Sequence, residues 1–166
     1  MTAEKTGRFG QRLFQYIAVI ILLGALAGSA GYAVMSDTSI HGLTVKFYDV
    51  SRYCTPTGST DVLTFKFTNA VVYSSASLEV SLSHVTFAMA SNGVPIGTFS
   101  GLDAKFGPSQ SVSYTPIFSN STIDPRSQPL SSQIVLSVTA QVSAGPYSTT
   151  TTTSDSALVT FPGPLC

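Results

Sequence analysis

The sequence is poor in charge, histidine and cysteine, and it contains no tryptophan. Its 166 residues include eight basic and eight acidic side chains, two histidines and two cysteines. So balanced and sparse a charge argues against nucleic-acid binding, which requires a surplus of basic side chains to neutralise phosphates. Serine and threonine together number 45. We therefore expect one domain with a hydroxyl-rich, weakly charged exterior.

The same scarcity removes the usual signatures of catalytic and metal sites. His41 and His84 have no cysteine or carboxylate at metal-ligand spacing. The acidic residues after Met35 are scattered, and neither a G-x-S-x-G turn nor a phosphate-binding glycine loop occurs. The sequence therefore favours a non-enzymatic protein without metal or cofactor, in which His84 is a hydrogen-bonded surface or turn residue.

A long apolar run lies near the N-terminus. Residues 13–35 contain no charged side chain, and a helix of this length rises about 35 Å, enough to cross a hydrocarbon core of about 30 Å. Lys5, Arg8 and Arg12 precede the run. The positive-inside rule then predicts a cytoplasmic N-terminus and an extracytoplasmic remainder.

These features predict four segments in the chain. They are a cytoplasmic N-terminus at 1–12, a transmembrane helix at 13–35, a linker at 36–42 and an extracytoplasmic domain at 43–166. A cleaved signal peptide is the alternative, because Ala25-Leu26-Ala27 and Gly28-Ser29-Ala30 are small-residue patterns of the kind that signal peptidase accepts. The apolar run continues past both patterns, which favours an uncleaved anchor.

Small residues recur along the apolar run at helical spacing. Gly24 and Gly28 form a small-xxx-small pair, which lets a second helix approach closely. Ordinary membrane-helix composition explains the same glycines. The partners predicted from this segment are membrane lipid along residues 13–35, together with other membrane or envelope proteins or further copies of the chain.

Beyond His41 the pattern changes to the alternation of apolar and polar residues that is typical of strands with one exposed face. Strand-like segments recur at Leu43 to Phe47, Leu63 to Phe67, Leu78 to Leu82, Val85 to Met89, Val94 to Phe99, Ser111 to Ile117, Ile134 to Val142 and Ala157 to Phe161. Asn92-Gly93 predicts a hairpin turn, and Pro95 places the returning strand at an edge or a bulge. The pattern predicts an immunoglobulin- or fibronectin III-like antiparallel β-sandwich of about seven to eight strands.

Two further segments have less regular patterns. A short helix is expected within residues 124–132. The threonine-rich run from Ser148 to Ser154 favours an edge strand, and O-glycosylation is the alternative interpretation.

Three stretches of the outer domain resemble the LEA type 2 (WHy) domain family. They are Leu78 to Phe87, Asn92 to Thr98 and Phe106 to Ser111. In that family a strand leads to a hairpin with an Asn-Gly turn, followed by a proline-containing segment and another strand. The resemblance spans about residues 40–162 and implies a seven-stranded, fibronectin-like, non-enzymatic domain, here in a membrane-anchored and archaeal setting. The chain has Asn69-Ala70 where the family usually has Asn-Pro.

Two kinds of covalent modification are predicted on the outer side. Cys54 and Cys166 are the only cysteines, and an even number in an oxidising compartment favours a disulfide between them. Two unpaired thiols, with Cys166 bridging to another chain, are the alternative. Asn120-Ser121-Thr122 is the only N-x-S/T motif, which makes Asn120 a predicted glycosylation acceptor.

An anchor, a sandwich and the missing catalytic residues predict a membrane-anchored binding or structural protein. It would be a subunit of a membrane or cell-envelope assembly or a stress-related surface module. The alternative is a pilin-like filament subunit whose N-terminal helix packs in a filament core, although the polar Gln11 and Arg12 follow the candidate processing site at Phe9-Gly10. A third hypothesis is that the strand from Leu43 to Phe47 inserts into a neighbouring sandwich.

Overall fold

The computed structural model describes residues 4–57 and 61–162, with side chains from Tyr16 onward. Within these ranges it contains one α-helix, nine strands and a 3-10 turn. The chain divides into two compact units, Met1–Met35 and Ser36–Cys166. The first unit is helical from Glu4 onward, and the second contains both β-sheets.

Helix α1 runs from Glu4 to His41. The segment Tyr16–His41 is the apolar part of this helix. Its most apolar stretch has a mean hydropathy of 2.2, and no residue of that stretch is buried. Large apolar side chains along it are open to the surroundings, and Ile20 is 68% exposed. The helix is therefore long and apolar enough to cross a membrane.

The segment 36–42, expected as a linker, is helical as far as His41. Ser36, Ser39 and Ile40 recur at helical spacing and are buried in the second unit. The helix ends at His41, and the carbonyl of the next residue, Gly42, accepts hydrogen bonds from the backbone N–H and the hydroxyl of Ser75. Burial of one face of the last turn explains a helical conformation that the polar sequence did not indicate.

The strands form two antiparallel sheets. Their bounds are β1 Leu43–Pro56, β2 Asp61–Ser74, β3 Val80–Ser91, β4 Val94–Ser100, β5 Ala104–Phe106, β6 Ser111–Tyr114, β7 Ile117–Asn120, β8 Ser131–Ala144 and β9 Tyr147–Thr160. In the first sheet β2 pairs with β1 on one side and with β6 and β7 on the other. The second sheet has the order β4-β3-β8-β9, and β5 also pairs with β3.

Two edge strands are interrupted, so the nine segments form seven rows. Strands β6 and β7 pair with successive parts of β2 and are separated by Thr115-Pro116, because proline has no N–H for the ladder. Strands β4 and β5 likewise share one edge of β3. The result is three rows facing four, the fibronectin III-like arrangement, and it confirms the predicted antiparallel β-sandwich.

Alternating side chains from both sheets fill the core. The predicted inward residues Leu63, Phe65 and Phe67 are fully buried, and the rings of Phe67 and Phe118 meet edge to face with centroids 5.6 Å apart. Asn92 and Gly93 both have positive φ, at 49° and 78°, as a two-residue hairpin turn requires. The predicted turn is therefore confirmed.

Several predicted elements differ in extent from the observed ones. The strands predicted at Leu78 to Leu82 and Val85 to Met89 are one strand, β3, and the strand predicted at Ser111 to Ile117 is divided between β6 and β7. The threonine-rich run and the segment after Ala157 belong to one continuous strand, β9, which pairs with β8 over its whole length. The short helix expected within residues 124–132 is a single 3-10 turn at Pro125–Ser127, with the Asp124 carboxylate accepting a hydrogen bond from the backbone N–H of Arg126.

Gly42 and the turn between β8 and β9 lie at one end of the sandwich. The β3–β4 turn and the loop of residues 121–130 lie at the other, which we call the far end. Strand β1 runs from the Gly42 end to the far end, so Cys54 lies near the far end.

Candidate functional sites

The two glycines predicted to pack against another helix face open space. Gly24 and Gly28 lie within α1, and a Cβ atom added at either position would meet no atom within 4 Å. This surface therefore has room for the close approach of a second helix. The predicted helix packing stays a prediction, because one chain contains no partner for it.

Of the predicted disulfide pair, one cysteine lies within the described residues. Cys54 is on β1 and half-buried, and Cys166 lies outside the described residues. The predicted pairing therefore stays a prediction.

Asn120 is held by hydrogen bonds on both sides of its amide. Its Nδ2 donates to the carbonyl of Ile96 at 3.0 Å. Its Oδ1 accepts from the backbone N–H and the hydroxyl of Thr122, both at 2.8 Å, and from the backbone N–H of Ile123. Asn120 ends β7, whereas Ile96 belongs to β4 in the other sheet. The side chain thus links the two sheets, a structural role that the sequence motif does not reveal.

The two histidines lie in different places on the second unit. The His41 ring lies 2.9 Å from the carbonyl oxygen of Asp37, one helical turn earlier. His84 is exposed and has a φ of 53°, and its backbone N–H donates to the Asp103 carboxylate at 3.0 Å. Within the described residues no group of three or more potential metal ligands occurs.

Arg52 is a buried cation that sequence analysis did not identify. Only 9% of the residue is exposed, and its Nη1 donates to the carbonyl of Pro129 at 2.7 Å. The guanidinium lies 4.4 Å from the ring centroid of Phe161, within the range of a cation–π contact. Burial lowers the pKa of Arg52. Its contacts connect β1 to the loop before β8 and to the segment after β9.

The far end contains a shallow cavity of about 230 Å³, lined by Asp61 and residues 121–125. The Asp61 carboxylate forms an ion pair with Nη2 of Arg126 at 3.4 Å, and Asp124 caps the 3-10 turn. Both carboxylates therefore already have partners within the fold. The loop is therefore not a concentration of free negative charge.

A pair of tyrosines lies on the outer face of the first sheet. The hydroxyls of Tyr48 and Tyr73 are 3.2 Å apart. This hydrogen bond raises the pKa of Tyr73, and the positive charge of Lys46 acts in the opposite direction. The face combines aromatic, hydroxyl and ammonium groups in one place, which suits contact with a polar surface.

The edges of the two sheets meet where β1 and β9 approach each other. The Asp155 carboxylate accepts a hydrogen bond from the backbone N–H of Phe47 at 3.2 Å. The Thr151 hydroxyl donates to the carbonyl of Ile40 at 3.2 Å. An inward carboxylate on an edge strand is one way in which proteins discourage unwanted strand pairing.

Comparison with known proteins identifies no family for this chain. No family model matches the chain, and no curated protein matches it. Among solved structures, nine chains match. One is the crystal structure of a protein from Archaeoglobus fulgidus, with 10% sequence identity and a TM-score of 0.39, covering 69% of this chain and 97% of that one. The sequence identity and the TM-score are both too low to indicate a shared function.

Proposed function

We propose that the chain is a single-pass membrane protein whose β-sandwich lies outside the cytoplasm and acts by binding. Its role would be that of a subunit of a membrane or cell-envelope assembly or of a stress-related surface module of the LEA type 2 kind. The observation that carries the proposal is a long helix whose most apolar part is not buried, followed in the chain by a compact β domain.

The exposed apolar surface of α1 supports the anchor. Leu22, Leu23 and Leu26 are each more than half exposed, and water around such side chains is unfavourable by about 25 cal/mol for every Å² of apolar surface. Lipid removes this surface from water. The positive charges of Lys5 and Arg8, ahead of the apolar run, support the proposed orientation with the N-terminus in the cytoplasm.

A filament is the second candidate, because the same surface is covered equally well by helices of other copies. The open face at Gly24 and Gly28 supports this alternative. The two candidates differ in what surrounds α1, which is lipid and other membrane proteins in the first and identical helices in the second.

Extraction of the source membranes separates the candidates. We expect the chain to resist alkaline carbonate, to dissolve in mild detergent, and to migrate as a discrete complex whose other chains mass spectrometry identifies. Added protease should digest the sandwich on intact cells. A fibre of this chain alone would establish the filament, whereas release by carbonate would exclude the anchor.

A pair of matched variants tests the anchor directly. Leu22→Arg places a charge in the middle of the apolar segment, which is unfavourable by about 3 kcal/mol on insertion scales, so we expect a marked loss of membrane-bound chain. Leu22→Phe keeps an apolar side chain at the same position and should leave the membrane-bound fraction unchanged. Equal fractions for the two variants would contradict membrane insertion.

A further inference from the structure

Strand β9 presents two different sets of hydroxyl groups on its two faces. From Thr149 to Asp155 the residues with odd numbers, such as Thr149, Thr151 and Thr153, are half-buried and face the sandwich, whereas those with even numbers along β9 are exposed. The five consecutive threonines at 149–153 look equivalent in the sequence. The strand separates them, because neighbouring residues point to opposite faces of a sheet.

The outward hydroxyls differ again in whether the fold uses them. Thr152 pairs with the hydroxyl of Thr139 at 2.9 Å, and Thr160 pairs with that of Ser131 at 3.0 Å. Within the described residues, the hydroxyls of the other four outward positions have no hydrogen-bond partner. These four are Ser148, Thr150, Ser154 and Ser156.

The surface around the four hydroxyls is neutral and made of small side chains. Their neighbours across the ladder on β8 are Ser143, Gln141, Ser137 and Val135. Beyond β8, the residues that pair with these positions on β3 are Ser81, Ser83, Ala88 and Ala90. Serine is depleted at protein interfaces, so this surface is not typical of a site for another protein.

We propose that Ser148, Thr150, Ser154 and Ser156 are sites of O-linked glycosylation. The inference rests on the proposed function, because it requires the sandwich to lie outside the cytoplasm. Each of the four hydroxyls is exposed, lacks a partner in the described fold and lies on an edge strand with a neutral neighbour. Serine- and threonine-rich surface segments are the usual carriers of O-linked sugars.

The reaction uses a sugar activated as a phosphate ester. The serine or threonine Oγ attacks C1 of the sugar and forms the glycosidic bond, and the bond between C1 and the phosphate oxygen breaks. The phosphate leaves with the electron pair, and the hydroxyl proton passes to a base of the transferase. The inward threonines are half-buried and face the sandwich, so a transferase reaches them less readily than the outward residues.

Mass spectrometry of the chain purified from its own membranes tests the assignment. Cleavage after Tyr147 and Leu158 yields a fragment of residues 148–158, which contains all four outward residues and the three inward threonines, and fragmentation by electron transfer locates each sugar. We expect hexose increments on some or all of the four outward residues and none on Thr149, Thr151 or Thr153. A bare fragment, or sugar on the inward threonines, would overturn the inference.

Matched variants and an orientation control make the result decisive. Replacing all four residues with alanine should abolish the increments, whereas Thr149→Val with Thr153→Val should leave them intact. Protease treatment of intact cells reports the orientation separately. An accessible sandwich with a bare fragment rejects glycosylation and leaves the proposed function standing, whereas a protected sandwich rejects both.

Discussion

At the scale of single residues, the structure gives Asn120 a role that its sequence motif does not. The amide joins β7 to β4 through Ile96 and closes the turn at Thr122. A sequon asparagine whose amide nitrogen is hydrogen-bonded in the folded domain would receive a glycan most readily before folding is complete. The glycan predicted on Asn120 and the hydrogen bonds of its side chain are therefore separate effects, and their contributions to the stability of the domain can be measured separately.

Two substitutions that both destroy the sequon separate these contributions. Asn120→Ala removes four hydrogen bonds, and we expect it to lower the free energy of unfolding by about 2–3 kcal/mol. Thr122→Ala removes one, at about 1 kcal/mol or less. Chemical denaturation of unglycosylated protein measures both, and equal losses would show that the link between the sheets is unimportant.

Ionisation of Tyr114 should lower the stability of the domain at alkaline pH. Burial, followed by the negative charge of Asp103, raises the pKa of Tyr114 above its ordinary value of 10.0. The folded state then holds the phenolic proton more tightly than the unfolded state. The stabilisation is complete below about pH 10 and decreases as the pH rises through the folded-state pKa.

Tyr114→Phe tests this dependence. At neutral pH the variant loses the hydrogen bond to the carbonyl of Leu102 and about 1 kcal/mol of stability. Above pH 10 the stability of the variant should fall less steeply with pH than that of the wild type. Some decrease should remain, because the pKa of Tyr73 is also raised. Unfolding measured from pH 7 to 11 gives both quantities, and identical slopes would contradict the assignment.

At the scale of elements, alternation in the sequence predicted most strands because a half-buried sheet imposes a period of two. The same rule failed where the alternation changes phase. Asp49 has a φ of 50°, and after it the inward positions of β1 shift from Val45 and Phe47 to Val50 and Arg52. Continuing the earlier alternation would have placed Arg52 outside, so its burial was not predictable from the pattern.

The Asn92-Gly93 turn was predictable because only a few residues adopt positive φ readily. Gly93 has a φ of 78° and open space around it. We expect Gly93→Ala to cost about 1 kcal/mol through backbone strain alone, and Gly93→Asn to cost less, since asparagine tolerates this conformation.

Gly97→Ala is the matched control for the turn. Gly97 lies in β4, and an added Cβ would meet ordinary contact with the carbonyl of Ser119 at 3.9 Å. The substitution should be neutral or slightly stabilising. Denaturation midpoints rank the stabilities of the three variants. A loss of stability in Gly97→Ala as large as that in Gly93→Ala would refute the argument from backbone strain.

At the scale of the whole molecule, composition and strand spacing were enough to predict a sandwich but not the partners of each strand. Pairing joins distant segments, such as Leu63 with Asn120, and no local pattern specifies such a contact. The seam between β1 and β9, the link through Asn120 and the burial of Arg52 all depend on long-range pairing. These are the features of the candidate sites that sequence analysis missed.

The geometry of the far end gives the predicted disulfide a physical basis. Phe161 lies over Arg52, and Cys54 lies two residues further along the same strand, about 7 Å away. A four-residue segment spans at most about 13 Å, so the number of residues between Pro162 and Cys166 permits the predicted bond. The bond would close a loop of about 110 residues, with a chain-entropy contribution of about 4–5 kcal/mol.

Reduction should therefore lower the free energy of unfolding by about 4 kcal/mol, and Cys54→Ser should reproduce the loss without reductant. Adding reductant to that variant should have no further effect. Intact mass after alkylation, with and without prior reduction, counts the free thiols, of which we expect none before reduction. Two alkylated cysteines before reduction would exclude the bond, and a covalent dimer would show that Cys166 pairs between chains. A bond within one chain would tie the segment after β9 to β1, so that these two edge strands could not separate completely while the bond is intact.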